Sequence, residues 1–331
     1  MAKRLLRFGT ACLAALLACS ASVAMAAEVT PRMLVPVGHT VGIKLFSKGV
    51  VVVKLSDGGT PARTCGLRTG DVIIQCGGST VTSSEQFQSL LQTCGGTAEL
   101  EVRRNGNSVT LSVEPERNDQ GVYCIGAWIR DSMAGIGTMT YYDPATATFG
   151  ALGHGITDVD TAQLMPLASG SIMETTVKAV KKGRKGDPGE LKGDFSVQRD
   201  VGTVTVNSDG GIFGTVADGE FLSGGTPVPV ATAQQVKTGR ATILATISGS
   251  DTAEYQVEIV RLYGADEPTR NMLLRITDPR LLSATGGIVQ GMSGSPILQN
   301  GRIVGAVTHV LLNDPTRGYG IFIGNMLDMA G

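Results

Sequence analysis

Short apolar runs, broken by small or polar residues, recur along most of the chain. Val, Ile and Thr are common within these runs, and Gly, Asp and Asn separate them. Apolar positions at helical spacing are scarce after the first 30 residues. Because β-branched residues in short runs between turn residues are typical of strands, the pattern predicts a mainly β protein with many tight turns.

Residues 29–115 have the pattern of one small domain. In order, the sequence predicts two strands joined at residues 47–49, a helical turn from Pro61, a strand over Val72–Cys76, a helix over residues 84–93 and a hairpin turned at Asn105-Gly106. Ser83 or Ser84 is suited to begin the helix, since a serine hydroxyl can accept a hydrogen bond from the first free backbone amides. Asn-Gly between two strand-like runs is a strong hairpin signal.

The pattern changes near Val122, and strands and turns then continue to the last residue. Repeated short strands over this length are typical of a pair of β-barrels or of a sandwich. The chain of 331 residues is long enough for two domains with separate cores. We therefore predict a second domain over residues 116–331.

The first 27 residues have the pattern of an export signal. Lys3, Arg4 and Arg7 precede an uncharged apolar stretch, and Ala24-Met25-Ala26 fits a cleavage site with small residues at both ends. If it is not cleaved, the segment would serve as a single membrane anchor, somewhat short for a full span. The sequence therefore predicts a signal peptide or membrane anchor over residues 1–27 and an exported protein.

Charge and cysteine usage exclude several classes of function. The chain has 28 Lys and Arg against 29 Asp and Glu, so no net positive field favours a nucleic acid as partner. No Cys-x-x-Cys pair occurs among the six cysteines, which argues against a zinc site. We expect no metal ion and no organic cofactor. Four cysteines lie after the predicted signal, and the sequence does not decide their disulfide pairing: Cys65, Cys76, Cys94 and Cys124.

The stretch GMSGSPI, residues 291–297, contains a candidate nucleophile. Gly291 and Gly294 would allow the chain to turn tightly around Ser293 and to present its hydroxyl. The backbone N–H groups of Gly291 and Ser293 could then form an oxyanion hole. Gly-Ser turns are common, so the motif alone is weak, and Ser295 is an alternative nucleophile.

Three histidines are available as the general base, and imidazole is the usual partner of a serine nucleophile at neutral pH. His39 is most simply a loop residue of the first domain. His154 lies between two glycines in FGALGHGITD, a setting suited to the end of a strand that faces a cleft. His309 lies in VGAVTHVLLND, 16 residues after Ser293, and is the second candidate.

The first domain resembles a PDZ domain over nearly all of residues 33–115. The stretch TPARTCGLRTGDVIIQCGG carries the resemblance most specifically. It implies that the helix over residues 84–93 forms one wall of a peptide groove, and that a recognition loop binds a chain-terminal carboxylate. The matching loop residues are Val41, Gly42, Ile43 and Lys44. A domain that only docks on its neighbour is the alternative.

The chain from about residue 33 to its end also resembles the SpoIVB peptidases, the S55 serine proteases of spore-forming bacteria. Four motifs in order carry this resemblance: GALGHGITD, ITDP, GMSGSPI and THVLLNDPTRGYGIFI. It implies a chymotrypsin-like double β-barrel after the PDZ domain, with His154 as general base, Ser293 as nucleophile and Asp278 orienting the imidazole. From the residues alone the acid stays open, since other aspartates are available: Asp158, Asp160, Asp200 and Asp209. By analogy with two-barrel proteases, Thr308 and His309 would lie beside the substrate backbone.

The resemblance also implies a biological role. The protein would be a serine endopeptidase of sporulation signalling, exported from the forespore into the space between the two membranes. It would cleave itself and a membrane-bound regulator that restrains an intramembrane protease, which then processes a mother-cell sigma factor. The PDZ domain would bind the enzyme itself or its target. The alternative is a catalytically silent two-barrel scaffold that acts through peptide binding by the PDZ domain.

Overall fold

The computed structural model describes residues 31–217, 222, 225–264 and 267–331, with the side chains of residues 195–198 left out. The predicted signal peptide or anchor over residues 1–27 lies outside the described residues. Met33–Gly331 forms one compact unit. Within the described residues, no helix has the length and apolar character needed to cross a membrane.

Strands dominate the described chain, which confirms the mainly β prediction. The strands are β1 Met33–Pro36, β2 Thr40–Leu55, β3 Val72–Cys76, β4 Ser79–Thr80, β5 Ala98–Arg104, β6 Asn107–Val113, β7 Glu116–Arg117, β8 Tyr123–Cys124, β9 Ala127–Asp143, β10 Thr148–Ala151, β11 Leu167–Lys181, β12 Glu190–Ser208, β13 Gly211–Val216, β14 Val228–Pro229, β15 Gly239–Ala245, β16 Ala253–Leu262, β17 Met272–Ile276, β18 Pro296–Gln299, β19 Arg302–Leu311 and β20 Asp314–Phe322. The helices are α1 Pro61–Thr64, α2 Ser84–Thr93, α3 Pro279–Thr285 and α4 Ile323–Asp328, with a 3-10 turn at Ala233–Gln235.

The strands close into two antiparallel barrels. One ring joins β9, β10, β13, β12, β11 and β2, and β2 returns to pair with β9. The second ring joins β15, β16, β17, β20, β19 and β18. Alternate residues of β15, namely Ala241, Ile243 and Ala245, are buried in the second barrel, as a strand with one face on a core requires. This is the double-barrel arrangement that the S55 resemblance implied, although β2 of the first ring lies within residues 29–115, which were predicted to form the PDZ domain.

A smaller sheet lies beside the first barrel. The second half of β2 pairs with β3, and the ladder continues through β5 to β6. Phe87 and Leu91 of α2 pack on its core. The predicted hairpin and helix are both present: Arg104 pairs with Asn107 across the turn, and the Ser83 hydroxyl accepts from Gln86 N–H.

The structure contradicts the predicted recognition loop. Val41, Gly42, Ile43 and Lys44 form part of β2, a single strand of 16 residues, rather than a loop between two strands. Both edges of this segment are occupied, by β9 on one side and β11 on the other. Its amides therefore serve the first barrel and cannot take up a terminal carboxylate.

The physical reason is a strand that continues where the sequence suggested a turn. Val41, Ile43 and Leu45 alternate into the core of the first barrel, which extends the strand pattern as far as residue 46. Gly49 has a φ of 91° and lies against β3, where a Cβ would come within 2.2 Å of the carbonyl oxygen of Ile73. The glycine thus bends the strand from the barrel into the smaller sheet without ending it.

The four cysteines of the described chain are free thiols. Cys76 and Cys94 lie closest to each other, with 4.0 Å between their sulfur atoms. Burial raises the pKa of Cys76 to about 12, and Cys94 contributes to the same shift.

Candidate active site

The turn that carries Ser293 is fixed by β9. The N–H of Thr138 donates to the carbonyl oxygen of Ser293 at 2.9 Å, and the Thr138 hydroxyl donates to that of Gly291 at 2.7 Å. From the other side, the N–H of Gly294 donates to Val307 at 2.7 Å. Gly294 has a φ of 96°, and a Cβ there would lie 2.0 Å from the Thr138 carbonyl oxygen. Only glycine therefore allows this close approach between β9 and the turn.

Two amides of the same turn are left available. Within the described residues, the N–H groups of Gly291 and Ser293 have no hydrogen-bond acceptor, whereas those of Met292, Gly294 and Ser295 all donate to carbonyl oxygens. Gly291 and Ser293 both line an open cleft, so an acceptor that enters the cleft can bind these two amides. They are the pair that the sequence predicted for an oxyanion hole.

The Ser293 hydroxyl is bonded away from the histidines. It donates to the carbonyl oxygen of Thr308 on β19 at 2.8 Å, and it makes no bond to His154 in the part of the chain that the structure describes. Ser295 is fully buried, and its hydroxyl has no partner among the described residues. Ser295 is therefore out of reach of a substrate, whereas Ser293 lines an open cleft.

His154 follows β10 and faces that cleft. Its Nδ1 lies 2.9 Å from the carbonyl oxygen of Gly155. A carbonyl oxygen can only accept, so Nδ1 carries the hydrogen, and Nε2 of the neutral ring is left as the basic nitrogen. Burial lowers the pKa of His154, and the bond to Gly155 opposes this only in part. The imidazole is therefore neutral at physiological pH.

His309 lies beside His154 in the same cleft. Their ring centroids are 5.0 Å apart. The pKa of His309 is lowered to about 4, first because the cleft removes water from its ring and then because His154 and Arg270 can carry like charge. His309 as a whole residue is nevertheless exposed to solvent. Two neutral imidazoles thus stand side by side.

The cleft joins residues from distant parts of the chain. It has a volume of about 540 Å³ and lies between the two barrels. Six of the residues predicted for a site line it together: Ile43, His154, Gly291, Ser293, Thr308 and His309. His39 lies elsewhere, half-buried, with its Nδ1 3.3 Å from the Thr252 hydroxyl.

Asp278 is not in this cleft, which contradicts the triad role that the resemblance implied. Asp278 is the N-cap of α3, and its carboxylate accepts the backbone N–H of Arg280 at 2.9 Å. The same carboxylate accepts the backbone N–H of Gln256 on β16 at 3.2 Å. The Arg280 guanidinium donates to both carboxylate oxygens, at 3.1 and 2.8 Å, and holds the pKa of Asp278 well below its usual range. The aspartate is a helix cap and ion-pair partner, and the Gly155 carbonyl takes the place at His154 Nδ1.

Asp158, which lies near His154 in the sequence, also has a role other than that of a triad acid. Asp158 is buried and pairs with Arg130, and it accepts the N–H groups of Asp160 and Thr161. Among the described residues, no carboxylate is hydrogen-bonded to the ring of His154.

Two elements of the site escaped the sequence analysis. Thr138 lies within a plain strand pattern, GTMTYYD, and no local signal distinguishes it from Thr140. The Gly155 carbonyl is a backbone atom, so no residue type could indicate it. Both become visible only when the strands are placed next to the turn.

Comparison with known proteins agrees with this geometry. The family described as SpoIVB peptidase S55 matches residues 121–327. The chain belongs to this family. A PDZ domain family matches residues 31–114. The chain therefore has an S55 peptidase region preceded by a PDZ region, as its motifs indicated.

Other similarities are shorter or more distant. Serine protease HTRA1 of Xenopus tropicalis is 40% identical over 57 residues, which cover 17% of this chain and 12% of that protein. The inactive form of the Rv3671c protease shares 17% identity over 59% of this chain and 82% of its own, with a TM-score of 0.34. The PDZ domain of an SdrC-like protein from Listeria monocytogenes shares 21% identity over 25% of this chain and 87% of its own, with a TM-score of 0.23.

Proposed function

We propose that Ser293 and His154 are the nucleophile and general base of this endopeptidase. The observation that carries the proposal is their meeting in one cleft, next to two backbone amides with no acceptor among the described residues. The Gly155 carbonyl holds the imidazole in the tautomer that a base requires. The Gly291 and Ser293 amides bind the oxyanion of the tetrahedral intermediate.

The hydrogen bond from the Ser293 hydroxyl to the Thr308 carbonyl oxygen belongs to the enzyme without substrate. For attack, the hydroxyl must turn from the Thr308 carbonyl oxygen to His154 Nε2. A substrate backbone N–H that donates to the Thr308 carbonyl oxygen would displace the Ser293 hydroxyl from this acceptor. The hydroxyl would then be free to turn when the substrate binds. Thr308 and His309 on β19 then lie beside the substrate, as predicted for the substrate strand.

Hydrolysis proceeds in two halves. His154 takes the Ser293 proton as the oxygen attacks the scissile carbonyl carbon, and then gives it to the leaving amine. A water molecule then attacks the resulting acyl-enzyme ester, with His154 again as the base. This step releases the carboxylic acid and restores the Ser293 hydroxyl. A neutral carbonyl stabilises the intermediate imidazolium less than a carboxylate would. A larger part of the transition-state stabilisation therefore comes from the oxyanion hole.

The proposed biological setting is sporulation signalling, supported by the family to which the chain belongs. In this proposal the enzyme is exported into the space between the forespore membranes. It cleaves itself and a membrane-bound regulator of an intramembrane protease, which then processes a mother-cell sigma factor. The PDZ region holds the enzyme to itself or to that target.

A fluorophosphonate probe tests the catalytic assignment directly. We expect the wild-type chain to be labelled at Ser293 and the Ser293→Ala and His154→Ala variants to resist labelling. Ser295→Ala is the matched control and should still be labelled, because Ser295 is buried outside the cleft. A folded wild-type chain that is never labelled would favour the catalytically silent scaffold. N-terminal sequencing of fragments from wild type and Ser293→Ala would report self-cleavage and its site.

A further inference from the structure

Strand β9 has one open edge that runs from the cleft to α2. Residues 127–138 pair with β2 along one edge, which β1 continues at residues 141 and 142, and only residues 139–143 pair with β10 on the other. Among the described residues no strand covers the second edge of residues 127–137. Natural proteins often protect such edges with proline or charged residues. Residues 127–136 read AWIRDSMAGI and contain no proline, and the two charged side chains, Arg130 and Asp131, bind Asp158 and the Ser84 N–H.

The cleft end of this edge has backbone groups that point away from β2. The N–H and carbonyl of Thr138 face away from β2, toward Ser293 and Leu152. Backbone groups of a strand alternate between its edges, so those of Ile136 and Ala134 point to the same side as Thr138. Ile136 and Ala134 line the catalytic cleft. A strand seated on this edge therefore passes directly beside the candidate nucleophile.

The other end of the edge lies beside α2. The N–H of Ser84, at the start of the helix, donates to the Asp131 carboxylate at 2.7 Å. Near the end of the helix, Gln88 and Gln92 donate to the Tyr123 carbonyl oxygen at 2.7 and 2.8 Å. Between these ties lies Trp128, with 65% of its surface exposed. Tryptophan is enriched at protein interfaces, so Trp128 beside an unpaired strand edge is suited to contact a bound segment.

We propose that the open edge of β9 binds the substrate as one added antiparallel strand, which continues from the cleft to Trp128. This rests on the proposed function, because the cleft identifies the occupant as an extended protein segment. Antiparallel pairing directs the carboxyl side of the substrate toward α2, since β9 itself runs from α2 to the cleft. From Ile136 to Ala127 the edge measures about 30 Å, at about 3.3 Å for each residue. The peptidase thus recognises roughly nine residues after the scissile bond.

Hydrogen exchange and fluorescence test the docking without requiring catalysis. The probe is denatured β-casein, added to the full chain carrying Ser293→Ala. We expect slower amide exchange in residues 127–136 and a blue shift of the emission of Trp128, which is the only tryptophan of the chain. Unchanged exchange and emission in the presence of casein would overturn the proposal. Protection that depends on enzyme concentration without casein would also overturn it, because a second copy would then cover the edge.

A length series connects docking to cleavage. Casein sites cut by the wild-type chain are mapped, and two peptides are made around one site, with two or ten residues on its carboxyl side. We expect kcat/KM at least tenfold higher for the longer peptide, and Trp128→Ala should remove most of that advantage. Val260→Ala, which also removes an exposed apolar side chain from a strand, is the control and should keep it. Dependence on the amino side alone would contradict the proposal.

The two proposals fail in different ways. Casein cleavage without protection or a length effect would refute the docking edge and leave the catalytic assignment intact. Slower exchange in Ser293→Ala without any cleavage by wild type would refute the catalytic assignment and leave the docking edge intact.

Discussion

Replacing Thr138 by valine tests whether β9 holds the nucleophile turn in place. The change keeps the shape of the side chain and removes the hydroxyl that donates to Gly291 at 2.7 Å. The Thr138 N–H bond to Ser293 stays, so the turn remains attached at one point. The Gly291 carbonyl would be left buried without its partner.

The size of the effect follows from that lost bond. Leaving one buried polar group unsatisfied costs about 1–3 kcal/mol of unfolding free energy. Gly291 also supplies one of the two free amides, so a shift of its backbone would misplace that donor. Because about 1.4 kcal/mol corresponds to a tenfold change in rate, we expect the labelling rate of Ser293 to fall by about tenfold or more.

Thr140→Val is the matched control. Thr140 lies two residues further along the same strand and is fully buried, and its hydroxyl has no partner among the described residues. The same substitution there removes no hydrogen bond. Urea unfolding and the rate of fluorophosphonate labelling would be measured for both variants. If the two valine variants lose the same stability and label equally fast, the clamp on the turn has no role and the reasoning is refuted.

Two further predictions concern the titrating groups. Asp278→Asn should leave peptidase activity unchanged and slightly lower the unfolding free energy at pH 7, because asparagine caps a helix as well as aspartate does but loses the charge that pairs with Arg280. Because its folded pKa is depressed, Asp278 stabilises the fold above about pH 4, and this contribution is lost as the pH falls through the folded pKa, so wild type and variant should converge in acid. A large loss of activity in Asp278→Asn would restore the triad. For His154, whose pKa is lowered, kcat/KM should rise with pH to a midpoint below the ordinary value of 6.5 and then stay level through pH 8. His309→Ala should retain this acid limb, and its disappearance would identify His309 as the base.

Local chemistry accounts for the parts of the fold that were predicted correctly. The Asn105-Gly106 hairpin and the helix begun at Ser83 depend on residues within a few positions of each other. The same holds for Gly291 and Gly294, whose positive φ angles shape the turn around Ser293. His154 was found because the chain has few histidines and this one lies between glycines.

Partners distant in sequence account for the parts of the fold and of the site that were not predicted correctly. Val41, Gly42, Ile43 and Lys44 have the composition of a recognition loop, but strands more than 80 residues away pair with both of their edges. The resemblance implied Asp278 as the triad acid, yet its carboxylate pairs with Arg280 and caps the start of α3. Which partner a polar group obtains is decided by packing, and packing is not a property of the segment that carries the group.

The sequence by itself determined which segments turn, which extend and which side chains could do the chemistry, because these follow from backbone preference and residue type. Only the tertiary structure decided that Thr138 clamps the turn, that the Gly155 carbonyl orients His154, and that β9 joins the cleft to α2. Each of these depends on a backbone atom or a strand edge. Such groups are the same in every residue, so they acquire a role only when the folded chain brings a partner to them.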